Sequence, residues 1–371
     1  MKVDVAHVID ALEKERAAAQ RGLPFKVVST RRQSELAIFE VEPIREGPSS
    51  SALDESLEGA RAIWGVHGEN RGEVVVVYPE RGELVLRFVS GTLPEPEAQT
   101  TLYPLDFLSP LIGLWRSERT ARRAMSVLGR AGSEPIRAPK KLSAEYSALR
   151  IRQADAVALP VNRIGLLEGP PGTGKTFTIG AMIANLLCRF RNSRLLVTGP
   201  TNTAVDEALI SADDWLQRLG RADLAGHMKR LGSRFDPKRY QDRDHLLAPG
   251  IHEASLEITM LELEEPSKQD IEAYVAWKEN LEAARTKLKT DVAAVTARSR
   301  VVAVTTSFLF QNFDALLEEN EARSRAGAKT AWHFVIADEA SQIMLPASLM
   351  AASAGACATF AGDPNQLAPI V

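Results

Sequence analysis

The stretch Gly169-Pro-Pro-Gly-Thr-Gly-Lys-Thr176 limits what this chain can fold into more than any other. It fits the pattern G-x-x-x-x-G-K-[ST], and it stands where that pattern has meaning. Before it, Arg163-Ile-Gly-Leu-Leu-Glu168 reads as a short buried strand. After it, Phe177 to Arg189 has the apolar spacing and alanine content of a helix. Glycines allow the N–H groups of the loop to turn inward around an anion, and the helix start adds partial positive charge. Lys175 is then placed to reach the β- and γ-phosphates of a nucleotide, and the Thr176 hydroxyl to ligate Mg²⁺. ATP with Mg²⁺ is the expected ligand, held by Gly169, Pro170, Pro171, Gly172, Thr173, Gly174, Lys175, Thr176 and Phe177.

A chain of 371 residues exceeds one ordinary core and implies two or three domains. Hydrophobic content of 45% and charged content of 25% argue against disorder and against a disulfide scaffold. A net charge of -3 gives no global attraction to polyanions. Such a partner must be held by local basic surface, as at Arg116 to Arg123 or Lys229 to Arg243, and both stretches read equally as solvated faces. Cys188 and Cys357 lie far apart with no His-rich neighbourhood, so both are expected to be reduced core residues. With no signal-peptide pattern and no run of about eighteen apolar residues, an intracellular setting is expected, cytoplasmic or nuclear, with no membrane partner.

Taken in order, Val5, Val8, Ile9 and Leu12 predict an amphipathic helix within 1–22. Strands follow at Phe25 to Ser29, Leu36 to Val41, Ala62 to Val66, Glu73 to Tyr78 and Glu83 to Val89, the pattern of a small antiparallel β-barrel over 23–100 with a loop at Pro43 to Ser51. Leu102 to Leu128 has helical spacing, and Gly129 to Pro139 reads as a linker, so 101–141 is expected to be a helical stalk. The remainder, 142–371, reads as an α/β domain with a parallel sheet. It opens with a helix carrying Gln153. Past the P-loop helix, Arg194 to Thr198 is a strand feeding Gly199-Pro-Thr-Asn-Thr-Ala-Val-Asp206, a polar turn of the kind that faces a ligand at the carboxyl end of a sheet. A helical insertion is expected at about 221–299, basic and irregular to Gly250. Ser267 and Asp270 would start its helix, in which Tyr274, Leu281, Leu288 and Val295 form a seam for a partner helix. Arg300 to Thr305 is again a strand, ending in Thr305-Thr306-Ser307.

Two further strands carry chemistry. His333-Phe-Val-Ile-Ala-Asp338-Glu339 ends in paired carboxylates. Asp338 is placed to hold the metal, and Glu339 to accept the proton of an attacking water. A lone Asp-Glu pair also suits a helix start, but a P-loop on the same chain needs an acidic partner of this kind. Ala358 to Gly362 leads into Asp363-Pro-Asn-Gln366, whose amide is in position to contact the γ-phosphate and that water; taken alone it is an ordinary turn.

Five ordered stretches together resemble the first motor domain of superfamily 1 nucleic-acid helicases, in the branch typified by the nonsense-decay and Sen1-type helicases. Gln153 resembles the adenine-reading glutamine of that family, Gly169 to Thr176 its first motif, Gly199 to Asp206 its strand-contacting motif, Asp338-Glu-Ala-Ser-Gln342 its second and Gly362-Asp-Pro-Asn-Gln-Leu367 its third. The P-loop alone is unspecific; P-T-N-T-A-V-D and D-E-A-S-Q in this order are specific. The resemblance covers Leu142 to Val371, and the N-terminal part by architecture only. It implies a RecA-like P-loop NTPase fold, ATP hydrolysis and 5′ to 3′ movement on single-stranded DNA or RNA. Pro200, Thr201, Asn202, Thr305 and Thr306 would touch the sugar-phosphate backbone without reading sequence. Lys175, Glu339 and Gln366 would be catalytic, with Thr176 and Asp338 at the metal.

The sequence stops at Val371, directly after the third motif. The second RecA-like domain, which supplies the transition-state arginines in such motors, is therefore expected in the rest of a longer protein. Arginine fingers are worth about 10³ to 10⁵ in rate, so this chain alone is expected to bind nucleotide and hydrolyse it feebly. The alternative is a nucleotide-binding switch or assembly ATPase acting on a protein partner, and beyond it a non-catalytic scaffold. The intact Lys175, Thr176, Asp338, Glu339 and Gln366 speak against the scaffold, and the Thr/Asn-rich loop after Thr198 favours a strand over a protein.

Overall fold

The computed structural model describes residues 4–19, 22–33, 36–44, 53, 57, 59–65, 68, 70–90, 92–104, 106, 108–130, 146–232, 234–266, 271–317 and 332–365. Of the loop expected over Pro43 to Ser51, Pro43 ends a strand and 45–51 lie outside these residues, as do 131–139 of the linker expected over Gly129 to Pro139, the boundary at Leu142, the helix start at Ser267 and Asp270, and Gln366.

Alternation of apolar and polar residues in the first hundred positions builds a closed barrel. Helix α1 (Val5–Ala19) precedes β1 (Leu23–Gln33), β2 (Leu36–Pro43), β3 (Arg61–Trp64), β4 (Asn70–Tyr78), β5 (Glu83–Ser90) and β6 (Gln99–Tyr103). The strands run antiparallel in the order β1-β2-β5-β4-β3-β6. Ala37, Phe39 and Val41 of β2 face inward with Phe25, Trp64, Leu84 and Leu86, and Phe39 meets Trp64 edge-on with ring centroids 5.2 Å apart. The spacing from Leu102 predicts a helix, and here the structure differs. Leu102 and Tyr103 belong to β6, which pairs with both β1 and β3 and closes the barrel. Thr100 and Leu102 are both buried, a period of two that outweighs helical spacing over five residues. Helices α2 (Leu108–Arg116) and α3 (Glu118–Leu128) begin only after it.

The second half alternates strand and helix: α4 (Ile151–Ala156), β7 (Ile164–Glu168), α5 (Lys175–Arg189), β8 (Leu195–Gly199), α6 (Asn202–Arg218), β9 (Met228–Arg230), α7 (Pro249–Leu263), α8 (Ile271–Arg298), β10 (Val301–Thr305), α9 (Thr306–Gln311), β11 (Trp332–Ala337), α10 (Leu345–Ser353) and β12 (Gly355–Gly362). Six strands form a parallel sheet in the order β7-β12-β11-β8-β10-β9. Strands buried on both faces read as continuous apolar runs, which is why β8, β10 and β11 were visible in the sequence. Strand β7 differs from expectation: it ends the sheet, and Leu166 is 72% exposed. The short edge strand β9 also lies within the stretch read as irregular. Helices α5 and α6 approach closely at Gly180, where an added Cβ would stand 2.6 Å from the carbonyl carbon of Ser211.

The apolar seam on α8 finds its partner in α7. Leu281 and Leu288 are buried, Trp277 Nε1 donates to Leu261 O at 2.7 Å, and Arg285 pairs with Glu262 at 2.9 Å. Chain contacts divide the protein into two compact units. One draws on Met1–Ile9, Pro110–Ser255 and Thr286–Ile370, the other on Asp10–Ser109 and Leu256–Arg285. The far end of the α7–α8 pair thus groups with the barrel, where Arg71 donates to the carbonyl of Glu265 just past α7 at 3.2 Å. Among the described residues no helix is long and apolar enough to cross a membrane.

Candidate functional site

Parallel strands deliver their following loops to one edge of the sheet, so the P-loop, the polar loop after β8, the carboxylate pair after β11 and residues 362–365 of the third motif after β12 lie there, and α4 brings Gln153 to the P-loop. The loop after β7 turns through Gly172 (φ 75°) and Gly174 (φ 85°), left-handed conformations that glycine adopts without strain. Gly174 caps α5, whose first residue is Lys175. Lys175 Nζ is buried and donates to Gly169 O at 2.7 Å, inside the loop it belongs to. Gln153 on α4 lies against this loop. Its Nε2 donates to Thr173 O at 3.0 Å and its Oε1 accepts from Arg150 N at 2.9 Å, so both ends of the amide are engaged with backbone. The Phe177 ring packs on Trp215 with centroids 4.9 Å apart.

Asp338 follows β11, the second strand from β7, and its carboxylate sits beside the P-loop. Thr176 Oγ1 donates to Asp338 Oδ2 at 3.4 Å, and Glu339 N to Asp338 Oδ1 at 2.9 Å. Burial pushes the Asp338 carboxyl up to about 6; its contact with Glu339 N, Lys175 and Thr176 works against that, while the neighbouring Glu339 charge adds to it. Glu339 is held at φ 47°, ψ 40°, a left-handed conformation unusual for a side chain of this size. Its Oε2 is buried without a hydrogen-bond partner among the described residues. The third motif closes on both neighbours: Gly169 N donates to Gly362 O at 3.2 Å, and Asp363 N to Ser341 Oγ at 3.4 Å.

These groups fit Mg²⁺. A desolvated carboxylate and a hydroxyl in contact offer two hard oxygen ligands, and an ion that keeps several waters and binds phosphate needs no more from the protein. Among the described residues no cluster of three or more His, Cys, Asp or Glu forms a self-sufficient metal cage.

The loops after β8 and β10 lie next along the edge. Thr201 caps α6, its Oγ1 accepting from Ala204 N at 3.1 Å, and Thr305 caps α9 the same way from Phe308 N at 3.3 Å. Thr305 is register partner of Gly199, so Pro200, Thr201 and Asn202 stand beside Thr305 and Thr306. Asp338 N donates to Thr198 O at 2.9 Å, joining the two halves of the edge through main chain.

Sequence reasoning missed the support beneath Asn202. Arg230, counted above among basic surface residues, is buried: its Nε donates to Asp206 Oδ1 at 2.7 Å, one terminal nitrogen to Asn202 Oδ1 at 2.7 Å and to Arg234 O at 3.0 Å, and the other to Leu231 O. Tyr240 donates to the same Asp206 oxygen at 2.8 Å; burial, then the Asp206 charge, raises its phenol, so it stays a donor. Elsewhere in this stretch Arg239 pairs with Glu207 and Arg243 with Asp213 and Asp214, so the acids of α6 neutralise much of the charge read as a basic surface. The signal was available in part. Asp206 and Asp213 lie seven apart on the face of α6 that also carries Leu209 and Leu216, and buried acids need cationic partners.

Residues 148–329 match a family model described as an AAA domain. The chain is 41% identical over 58 residues to DNA polymerase alpha-associated DNA helicase A of Saccharomyces cerevisiae, covering 15% of this chain and 8% of that protein. It is 41% identical over 70 residues to ATP-dependent helicase NAM7 of the same yeast, covering 18% and 7%. To the regulator of nonsense transcripts 1 homolog of Neurospora crassa it is 48% identical over 46 residues, covering 12% and 4%. The matched segments thus span under a tenth of each relative. The ordered motifs on one edge of a parallel sheet, with a closed barrel before them in sequence, and these partial matches support the resemblance to superfamily 1 helicases of the nonsense-decay and Sen1-type branch.

Proposed function

We propose that this chain is the first motor domain of an ATP-dependent helicase or translocase moving 5′ to 3′ on single-stranded nucleic acid, completed by a second RecA-like domain in the rest of the protein. One observation carries this: the nucleotide loop, the carboxylate pair and the polar loops after β8 and β10 lie along a single sheet edge, tied together by main-chain hydrogen bonds from Gly169 to Gly362 and from Asp338 to Thr198.

In this reading Lys175 leaves the Gly169 carbonyl for the β- and γ-phosphates, while loop N–H groups and the start of α5 hold the remaining phosphate charge. Thr176 and Asp338 would hold Mg²⁺, which would supply neutralisation of phosphate charge. Glu339 takes the proton of the attacking water through its unpartnered carboxylate oxygen, held in place by a backbone conformation it adopts at a cost. Gln153 reads the adenine, exchanging the Thr173 carbonyl for the base edge, and Gln366 links phosphate to strand. Pro200, Thr201, Asn202, Thr305 and Thr306 hold the sugar-phosphate backbone. The test is steady-state ATPase of the full-length protein with and without mixed-sequence single-stranded RNA and DNA. Stimulation by either is expected, and a rate indifferent to both overturns the motor reading in favour of a protein-partnered switch.

A further inference from the structure

We infer that Arg230 is a positioning residue for the strand grip, locking Asn202 as a hydrogen-bond donor to phosphodiester oxygens; this rests on the strand-binding reading above. Asn202 has one acceptor and two donor hydrogens on its side chain. The guanidinium of Arg230 occupies the acceptor at 2.7 Å. Its Nδ2 has no protein partner among the described residues, and the side chain is half-buried at the first turn of α6, beside the Thr201 cap. With the oxygen held inward, the amide hydrogens are what Asn202 offers to a ligand, and phosphodiester oxygens are acceptors only. Helix α6 adds its N-terminal partial charge at the same place.

Arg230 cannot itself reach a strand. Its side chain is 1% exposed, and every nitrogen has a buried or backbone partner: Asp206, Asn202, and the carbonyls of Leu231 and Arg234. The salt bridge to Asp206, itself 2% exposed and shared with Tyr240, fixes the plane of the guanidinium and so the line along which it meets Asn202. A second anchor comes from β9, where Arg230 is register partner of Ala303 on the strand that ends in Thr305. One buried cation therefore braces both halves of the strand-binding edge.

The experiment is equilibrium binding of a fluorescent single-stranded oligonucleotide to the full-length protein at several salt concentrations, with nucleotide affinity and Tm measured alongside. Arg230→Lys keeps a charge for Asp206 and removes the rigid fork that reaches Asn202. It is expected to weaken strand binding about 10-fold, with nucleotide affinity and the slope of log Kd against log salt unchanged. In Arg230→Gln, which removes the charge, the slope is likewise expected to stay unchanged; a slope lowered by about one ion there would make Arg230 a direct phosphate contact and overturn the assignment. In an Asn202→Ala background Arg230→Lys is expected to add less than 2-fold, and a full additive loss overturns it too. Asn202→Asp tests the donor without disturbing Arg230, since a carboxylate keeps the pair but presents no hydrogens. Strand affinity is expected to fall at least 10-fold at unchanged Tm, and wild-type affinity refutes the donor role. A wild-type protein that binds no single strand refutes the functional reading itself, which the variants cannot do.

Discussion

Replacing Asp338 with Asn is expected to make the metal-free protein more stable at neutral pH while removing its Mg²⁺-dependent nucleotide binding. The carboxyl is buried and pushed from 3.8 to about 6. A raised carboxyl binds its proton more tightly folded than unfolded, so this group favours the folded state while protonated and penalises it once ionised. Between pH 4 and 6 the unfolded chain has released that proton and the folded one has not, so stability falls as pH rises across this window. Each pH unit is worth about 1.4 kcal/mol, which makes the total near 3 kcal/mol at pH 7.5 and roughly half that at pH 5. Asn is nearly isosteric and uncharged, so Asp338→Asn removes this penalty. Urea unfolding in EDTA at pH 7.5 and pH 5 is the assay: the variant is expected to gain about 2 to 3 kcal/mol at the higher pH and about half as much at the lower. ATP with Mg²⁺ should then stabilise the wild type and leave the variant unmoved. A variant equally or less stable at pH 7.5 would mean that the hydrogen bonds from Thr176 and Glu339 already compensate the buried charge, and the desolvation argument would fail.

Lys175→Ala is expected to weaken nucleotide binding at least 10-fold by calorimetry, and unchanged affinity would take Lys175 out of the phosphate site. Glu339→Gln should bind nucleotide normally and lower turnover of the complete motor by about 10² to 10⁴; turnover equal to wild type would remove it from the role of base. Gly174→Ala forces a left-handed alanine whose Cβ would stand 2.7 Å from Gln153 Nε2, so loss of nucleotide binding is expected at near-normal fold by circular dichroism. Gly180→Ala, at the close approach of α5 and α6, is expected to cost about 1 to 3 kcal/mol in urea unfolding.

The parallel sheet and its order of motifs were legible because buried strands are apolar throughout and the loops after them carry residues with few other uses. Leu102 and Tyr103 misled because a five-residue strand offers only two inward positions, Thr100 and Leu102, and these merge into the helical spacing that starts at Leu108. Strand β9 is three residues long and carries Lys229 and Arg230, which by composition belong on a surface. What makes Arg230 internal is the partner on another element, Asp206, and a pairing across 24 positions leaves no periodic trace. Helix α7 was passed over for the related reason that its seam is defined by α8. The grouping of its far end with the barrel is a tertiary fact with no local pattern behind it.

The hydrogen bonds from Asp338 N to Thr198 O and from Gly169 N to Gly362 O use no side chain. At Asp338 and Thr198 only proline at 338 would delete the bond outright, whereas Gly169 and Gly362 are constrained, because an added Cβ would stand 2.6 Å from Thr173 Oγ1 and 2.9 Å from Ser341 N. On the proposed reading, the side chains at Pro200 to Asn202 and Thr305 to Thr306 would set which strand is held, while the main-chain bond from Asp338 to Thr198 would keep that edge tied to the carboxylate pair whatever side chains stand there.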